Sequence, residues 1–102
     1  MRLKDKVIIV TGGANGIGRI YCERLHQEGA RLLIADVDVQ GAAALAKALN
    51  KGKHKSRAVA AQVDVTDEEA TQAMARQAVA SFGRIDVLIN NAGTYPHARQ
   101  HR

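Results

Sequence analysis

The chain has 102 residues, of which 46% are hydrophobic and 25% charged, as in an ordinary globular protein. This length allows at most one small domain. Its single cysteine, Cys22, excludes an internal disulfide and fits a reducing cytosol. No apolar run approaches the length of a membrane span, and the charged N-terminus has no signal-peptide pattern. We therefore expect a cytoplasmic protein with no membrane partner.

The net charge of +5 raises the question of nucleic-acid binding. Four basic residues lie in the short stretch 51–57, and Arg99 and Arg102 lie near the C-terminus. Neither stretch has interleaved aromatic residues or an RNA-binding motif. We interpret them as a solvated loop and a frayed end, and we expect no nucleic-acid partner.

Short apolar runs alternate with longer segments of helical spacing. The predicted strands are Val7–Val10, Leu32–Ala35, Val59–Val63 and Val87–Ile89. The predicted helices are Ile17–Glu28, Gln40–Leu49 and a segment that begins after Thr66 and runs to about Ser81. Continuous apolar runs are typical of strands that are covered on both faces. Alternation of strands and helices indicates parallel strands joined by right-handed crossovers. The sequence therefore predicts an open α/β sheet of about four strands and three helices.

Local signals place the ends of two helices and one core residue. Gly29 is positioned to end the first helix, and Gly83 the third. Thr66 and Glu69 fit the capping box that begins the third helix. Cys22 lies within the first helix and is interpreted as a small core residue.

A glycine-rich turn follows the first predicted strand. Its pattern is Thr11-Gly12-x-x-x-Gly16-x-Gly18, and it differs from the common G-x-G-x-x-G pattern because Tyr21 stands at the third glycine position. Glycines allow positive φ or the close approach of a ligand. The N-terminus of the following helix would present unpaired N–H groups and partial positive charge to an anion. The turn is therefore a candidate phosphate-binding loop.

Asp36 follows the second predicted strand, 18 residues beyond Gly18. In a nucleotide-binding βαβ unit, this strand end reaches the adenosine ribose, where a carboxylate accepts hydrogen bonds from the hydroxyls. The alternative is a polar turn residue, a role that the neighbouring Asp38 also fits.

Four motifs together resemble the N-terminal half of a short-chain dehydrogenase/reductase: the glycine-rich turn, Asp36, Asp64-Val65 and Asn90-Asn91-Ala92-Gly93. The resemblance extends from about Lys4 to Gly93. It implies a partial Rossmann-type doubly wound sheet, with residues 1–93 as the N-terminal half of a dinucleotide-binding domain. Residues 94–102 would then be the start of a loop or a disordered tail.

The same resemblance implies a set of cofactor-binding residues: Gly12, Asn15, Gly16, Ile17, Gly18, Asp36, Asp64, Val65 and Asn91. The glycine-turn residues would line the pyrophosphate and the adjoining ribose. Asp64 would bind the adenine amino group beside the Val65 backbone. Asn91 would lie near the nicotinamide-side ribose, and Asn90 would help to hold the central strands together.

The resemblance favours NAD over NADP. Relatives that use NADP carry a basic residue at positions that here hold Asn15 and Val37, while Asp36 would repel a 2′-phosphate. Arg19 is the nearest cation, and we interpret it as a residue of the helix surface.

The family activity implied is hydride transfer between NAD and a secondary alcohol or ketone, by enzymes that are usually homo-oligomers. The family's catalytic Ser, Tyr and Lys follow the segment matched here. Tyr21 and Tyr95 are followed four residues later by Leu25 and Arg99, so neither matches the catalytic Tyr-Lys pair. We expect no catalytic residue and no turnover in this chain alone; the alternative function is a non-catalytic nucleotide-binding partner of a full-length relative. His97 and His101 lack a third ligand, so no metal site is expected.

Overall fold

The computed structural model describes residues 2–52 and 57–91. Its elements in chain order are β1 (Val7–Thr11), α1 (Gly16–Gln27), β2 (Arg31–Asp36), α2 (Val39–Asn50), β3 (Ala58–Gln62), α3 (Glu68–Phe82) and β4 (Val87–Asn90). The predicted strands and helices are thus confirmed. The predictions for Tyr95, His97, His101 and the boundary at residue 93 lie outside the described residues.

All strand pairs are parallel, and the sheet order is β3-β2-β1-β4. The chain builds outward from β1 through β2 to β3 and then returns to the other side of β1. The crossover direction therefore reverses between β1 and β4. In open α/β sheets, ligands bind outside the carboxyl ends of the strands at such a reversal.

The core lies on both faces of the sheet because alternate strand residues point in opposite directions. Ile8, Val10, Leu32 and Ile34 belong to one buried cluster, which also contains Cys22 and the buried alanines of α2. The other cluster contains Ile9 and Leu33 together with Met74 and Ala78 of α3. This arrangement confirms coverage on both faces for β1 and β2, but the same prediction is wrong for β4, where Val87 and Leu88 are 45% and 53% exposed.

Cys22 is fully buried in α1, and its thiol is within 3.9 Å of the Gly13 carbonyl oxygen. Burial raises the pKa of the thiol to about 12, with Glu23 adding to the shift. The residue is therefore the small core side chain that its position predicted.

The capping box predicted for α3 is wrong. Asp67 is the N-cap, and its Oδ1 accepts hydrogen bonds from the N–H groups of Glu69 and Ala70 at 3.0 and 3.3 Å. The Thr66 hydroxyl instead donates to Asp64 Oδ1 at 2.6 Å. Because Asp64 engages the threonine, the helix begins one residue later, where a carboxylate is also favoured by the helix dipole.

Asp86 joins the start of β4 to the start of β1. The Val7 N–H donates to Asp86 Oδ2 at 2.8 Å, and the Asp86 N–H donates to the Val7 carbonyl at 2.8 Å. Arg84 pairs with the other carboxylate oxygen at 2.6 Å. The side chain therefore fixes the register between β1 and the edge strand β4 at their amino ends.

We expect this carboxylate to contribute stability that disappears in acid. The hydrogen bond from Arg84, followed by that from the Val7 N–H, holds the pKa of Asp86 below its ordinary value of 3.8. A depressed folded-state pKa means that the contribution is complete above about pH 4 and is lost as the pH falls through that pKa. Asp86→Asn should lower the urea midpoint at neutral pH and flatten the acid-induced loss of stability. Urea unfolding as a function of pH measures both effects.

Asp5→Asn is the matched control, because Asp5 also pairs with an arginine, Arg31, but both side chains are well exposed. Equal flattening of the pH profile in the two variants would contradict the role given to Asp86.

No helix in the described residues is long and apolar enough to cross a membrane. The same ranges, 2–52 and 57–91, contain no group of three or more His, Cys, Asp or Glu side chains arranged to hold a metal ion.

Candidate functional site

The candidate site begins with the loop that leaves β1 at its carboxyl end. The Gly12 and Gly13 N–H groups both donate to the Ala35 carbonyl, at 2.7 and 3.3 Å. The next N–H group, on Ala14, donates to Asp36 Oδ2 at 3.0 Å. Three successive amides of the loop are therefore held on the end of β2.

Glycines are required in this loop for two different reasons. Gly12 and Gly16 have φ values of 67° and 59°, in the left-handed region that L side chains rarely adopt. Gly18 instead packs directly against the Gly12 backbone, so a Cβ at Gly18 would overlap the Gly12 carbonyl oxygen. Backbone conformation and close packing together explain the glycine spacing.

The N-terminus of α1 differs from those of the other two helices. Asp38 caps α2 and Asp67 caps α3 through side-chain oxygens, whereas Asn15 at the start of α1 forms no side-chain capping bond. The Arg19 N–H donates to the Asn15 carbonyl, so the N–H groups of Gly16, Ile17 and Gly18 precede the first intrahelical bond. The first turn also lacks acidic residues. This end of α1 therefore has the backbone donors and partial positive charge that bind an anion.

Asp36 lies beside this helix end, at the carboxyl end of β2. Besides the bond from Ala14, its Oδ1 accepts the Asp38 N–H at 3.0 Å. Val37 is 63% exposed, and Arg19 forms an i,i+4 ion pair with Glu23 at 3.3 Å. Arg19 thus occupies the helix surface, as interpreted from the sequence.

The two asparagines at the end of β4 connect this strand to β1 and the loop. The Thr11 hydroxyl donates to Asn90 Oδ1 at 3.0 Å. Asn91 Nδ2 donates to the Gly12 carbonyl at 3.2 Å. Asn91 is therefore placed at the glycine loop, while Asn90 links the carboxyl ends of β1 and the edge strand β4.

Asp64 and Val65 follow β3, at the same carboxyl edge of the parallel sheet. Asp64 is exposed, and hydrogen bonds from the Thr66 hydroxyl and N–H lower its pKa. Val65 is half-buried and packs on the cluster that contains Met74. Asp64 thus keeps its charge near the outer end of the site, and Val65 anchors the turn.

One contact of the candidate site had no signal in the sequence. The bond from the Ala14 N–H to Asp36 uses a backbone donor, which every residue except proline carries. Only the fold could show that this amide faces that carboxylate.

The sequence of the chain is similar to those of known proteins. Residues 6–102 match the short chain dehydrogenase family. The chain is 39% identical over 95 residues to the meso-2,3-butanediol dehydrogenase of Serratia marcescens, covering 93% of this chain and 36% of that protein.

Solved structures agree with this relationship. A hydroxysteroid dehydrogenase from Escherichia coli matches 87% of this chain with a TM-score of 0.81 and 28% identity. A short-chain dehydrogenase/reductase from Burkholderia phymatum in complex with NAD matches 86% of it with a TM-score of 0.78 and 28% identity. These matches cover 37% and 31% of the two solved chains. The chain thus spans about a third of the length of the relatives that it matches.

The match covers nearly all of the chain and includes the glycine loop, Asp36 and the paired asparagines. The sheet order and the N-terminus of α1, which has no side-chain cap, agree with this family match. The chain therefore belongs to the short-chain dehydrogenase family.

Proposed function

We propose that this chain supplies the NAD-binding part of an oxidoreductase that transfers hydride between NAD and a secondary alcohol or ketone. The observation that carries the proposal is the uncapped N-terminus of α1, which follows the glycine loop and lies beside Asp36. The NAD complex of the Burkholderia relative and the butanediol dehydrogenase activity named for the Serratia relative support the cofactor and the substrate class.

The proposed pyrophosphate subsite consists of backbone at the start of α1. The N–H groups of Gly16, Ile17 and Gly18 would donate to phosphate oxygens, while Gly12 and Asn15 would border the same space. Besides the N–H donors, the subsite requires a residue without a Cβ at position 18, because Gly18 lies directly against the Gly12 backbone. No carboxylate in the first turn of α1 opposes an anion.

The remaining subsites follow the carboxyl edge of the sheet. Asp36 would accept hydrogen bonds from the adenosine ribose hydroxyls, and Asp64 with the Val65 backbone would bind the adenine. Asn91 would lie at the nicotinamide-side ribose, because its amide is already directed to Gly12 at the end of β1. Bound NAD supplies the carbon that accepts or donates the hydride.

We assign none of the described side chains to acid–base catalysis. Their proposed contribution is to bind and orient the nucleotide, which positions a reacting group without moving a proton. The same residues would support the second candidate function, a nucleotide-binding partner of a full-length relative. The completeness of the loop and the Asp36 contacts within the described residues favours binding in either case.

NAD is expected to bind more tightly than NADP. The Asp36 carboxylate offers acceptors to a free 2′-hydroxyl and repulsion to a phosphate, while the adjacent Val37 and Asn15 carry no charge. Asp36→Ala should weaken NAD binding by about 1–3 kcal/mol, the range for a charged hydrogen-bond partner. Calorimetric titration of both dinucleotides measures the affinities.

Asp67→Ala is the control, since it also removes a carboxylate that accepts two backbone N–H groups, but at the start of α3. It should leave the ratio of NAD to NADP affinity unchanged. Tighter binding of NADP than of NAD by the unmutated chain would contradict the proposed cofactor.

A further inference from the structure

We propose that Asp36 is also a positioning residue: its carboxylate holds the glycine loop in its binding shape before any nucleotide arrives. The part of this inference that concerns nucleotide binding rests on the proposed function. The effect on the loop itself belongs to the nucleotide-free chain and is measurable there.

The evidence is that both carboxylate oxygens already have backbone partners. Oδ2 accepts the Ala14 N–H at 3.0 Å, and Oδ1 accepts the Asp38 N–H at 3.0 Å. One side chain therefore connects the glycine loop to the segment that begins α2. Each carboxylate oxygen has a second acceptor site, so these two bonds leave capacity for ribose hydroxyls.

The Ala14 bond matters because Ala14 is only 4% exposed. A buried N–H that loses its partner costs the desolvation free energy of that group. The Asp36 bond also continues the series in which the Gly12 and Gly13 N–H groups donate to Ala35. Asp36 therefore determines where the loop separates from β2 and where the open first turn of α1 begins.

The same bonds explain why a 2′-phosphate would be excluded by more than charge. A freely rotating carboxylate could turn away from a phosphate. Rotation of Asp36 would instead leave the buried Ala14 N–H without its acceptor and release the loop that binds the pyrophosphate. The residue thus couples recognition of the ribose to the shape of the phosphate subsite.

Asp36→Asn tests the positioning role with almost no change in side-chain size. The amide oxygen can accept only one of the two N–H groups from its position, and the NH₂ group then faces the other N–H donor. Without nucleotide, amide exchange measured by NMR should become about tenfold faster or more at Ala14 or Asp38, as expected for loss of a charged hydrogen bond. Exchange at Leu33, in the centre of β2, should stay unchanged. In the control variant Asp67→Asn, exchange at Ala14, Asp38 and Leu33 should all stay unchanged.

Unchanged exchange at both Ala14 and Asp38 would overturn the proposal. Faster exchange throughout β2, including Leu33, would also overturn it, because Asp36 would then act through global stability.

Binding of NAD and of its analogue lacking the adenosine 2′-hydroxyl separates this inference from the proposed function. If Asp36 positions the loop, Asp36→Asn weakens binding of both ligands; if it only contacts the 2′-hydroxyl, the analogue's affinity is unchanged and the proposal fails. Faster Ala14 exchange in a chain that binds neither ligand would support the positioning role while contradicting the proposed nucleotide function.

Discussion

Replacing Gly18 with alanine is expected to destabilise the chain and to remove measurable NAD binding. The new Cβ would overlap the Gly12 carbonyl oxygen, come within 2.8 Å of the Gly12 carbonyl carbon, and lie 2.9 Å from Asn91 Nδ2. Two of these atoms belong to the backbone, so no change of rotamer relieves the overlap. Either the loop or α1 must shift, at a cost of about 1–3 kcal/mol or more in the free energy of unfolding. Urea unfolding measures the stability, and calorimetry with NAD measures the binding.

Gly52→Ala serves as the control, because its Cβ would lie 3.3 Å from the Leu49 carbonyl oxygen at the far end of α2. This variant should bind NAD as the unmutated chain does. A Gly18→Ala protein with unchanged unfolding and unchanged NAD affinity would disprove the packing role assigned to Gly18.

The 102-residue chain is expected to be marginally stable and to self-associate through the outer edge of β4. Within the described residues, β4 pairs on one side with β1 and ends the sheet. Val87 and Leu88 are 45% and 53% exposed. Because successive strand residues point to opposite faces, β4 exposes apolar side chains on both faces of the sheet. Apolar strand edges with free backbone groups pair readily with other chains. Size-exclusion chromatography at low micromolar concentration, together with thermal melting, measures the association and the stability.

The other edge strand, β3, is less available for pairing with another chain than β4 is. There the Asn50 side chain bonds both the N–H and the carbonyl of Ala58, and Gln77 donates to the Ala60 carbonyl. The Asn50 and Gln77 side chains thus already bond backbone groups of β3 with which another strand would have to pair.

Leu88→Lys should therefore shift the chain toward monomer, because a charge on an edge strand opposes pairing. Val37→Lys, at an apolar residue outside the strands that is 63% exposed against 53% for Leu88, should not. A monodisperse monomer with a sharp, cooperative melt for the unmutated chain would show that the exposed edge does not drive association.

The sequence predicted the central strands well because their environment is uniform. Val7–Val10 and Leu32–Ala35 are buried throughout, so every position had to be apolar. The run at Val87–Ile89 has the same composition, yet Val87 and Leu88 are exposed. Composition indicates what a strand is suited to contact, whereas burial depends on which elements lie beside it.

Details of the loops were less predictable because several polar side chains compete within a few residues. Asp64, Thr66 and Asp67 all carry oxygens that could cap α3, and only the fold shows that Thr66 turns to Asp64. The glycine spacing did indicate the candidate site. The structure explains it through positive φ at Gly12 and Gly16 and close packing at Gly18.

An NMR titration of the isotopically labelled 102-residue chain with NAD tests the proposed nucleotide site most directly. We expect saturable shifts of the amides of Gly16, Ile17 and Gly18, accompanied by those of Asp36 and Asn91. Absence of saturable shifts would contradict the proposed site. So would shifts confined to the groove between α2 and β3, which is lined by Lys47, Asn50, Lys51 and Ala58 among others.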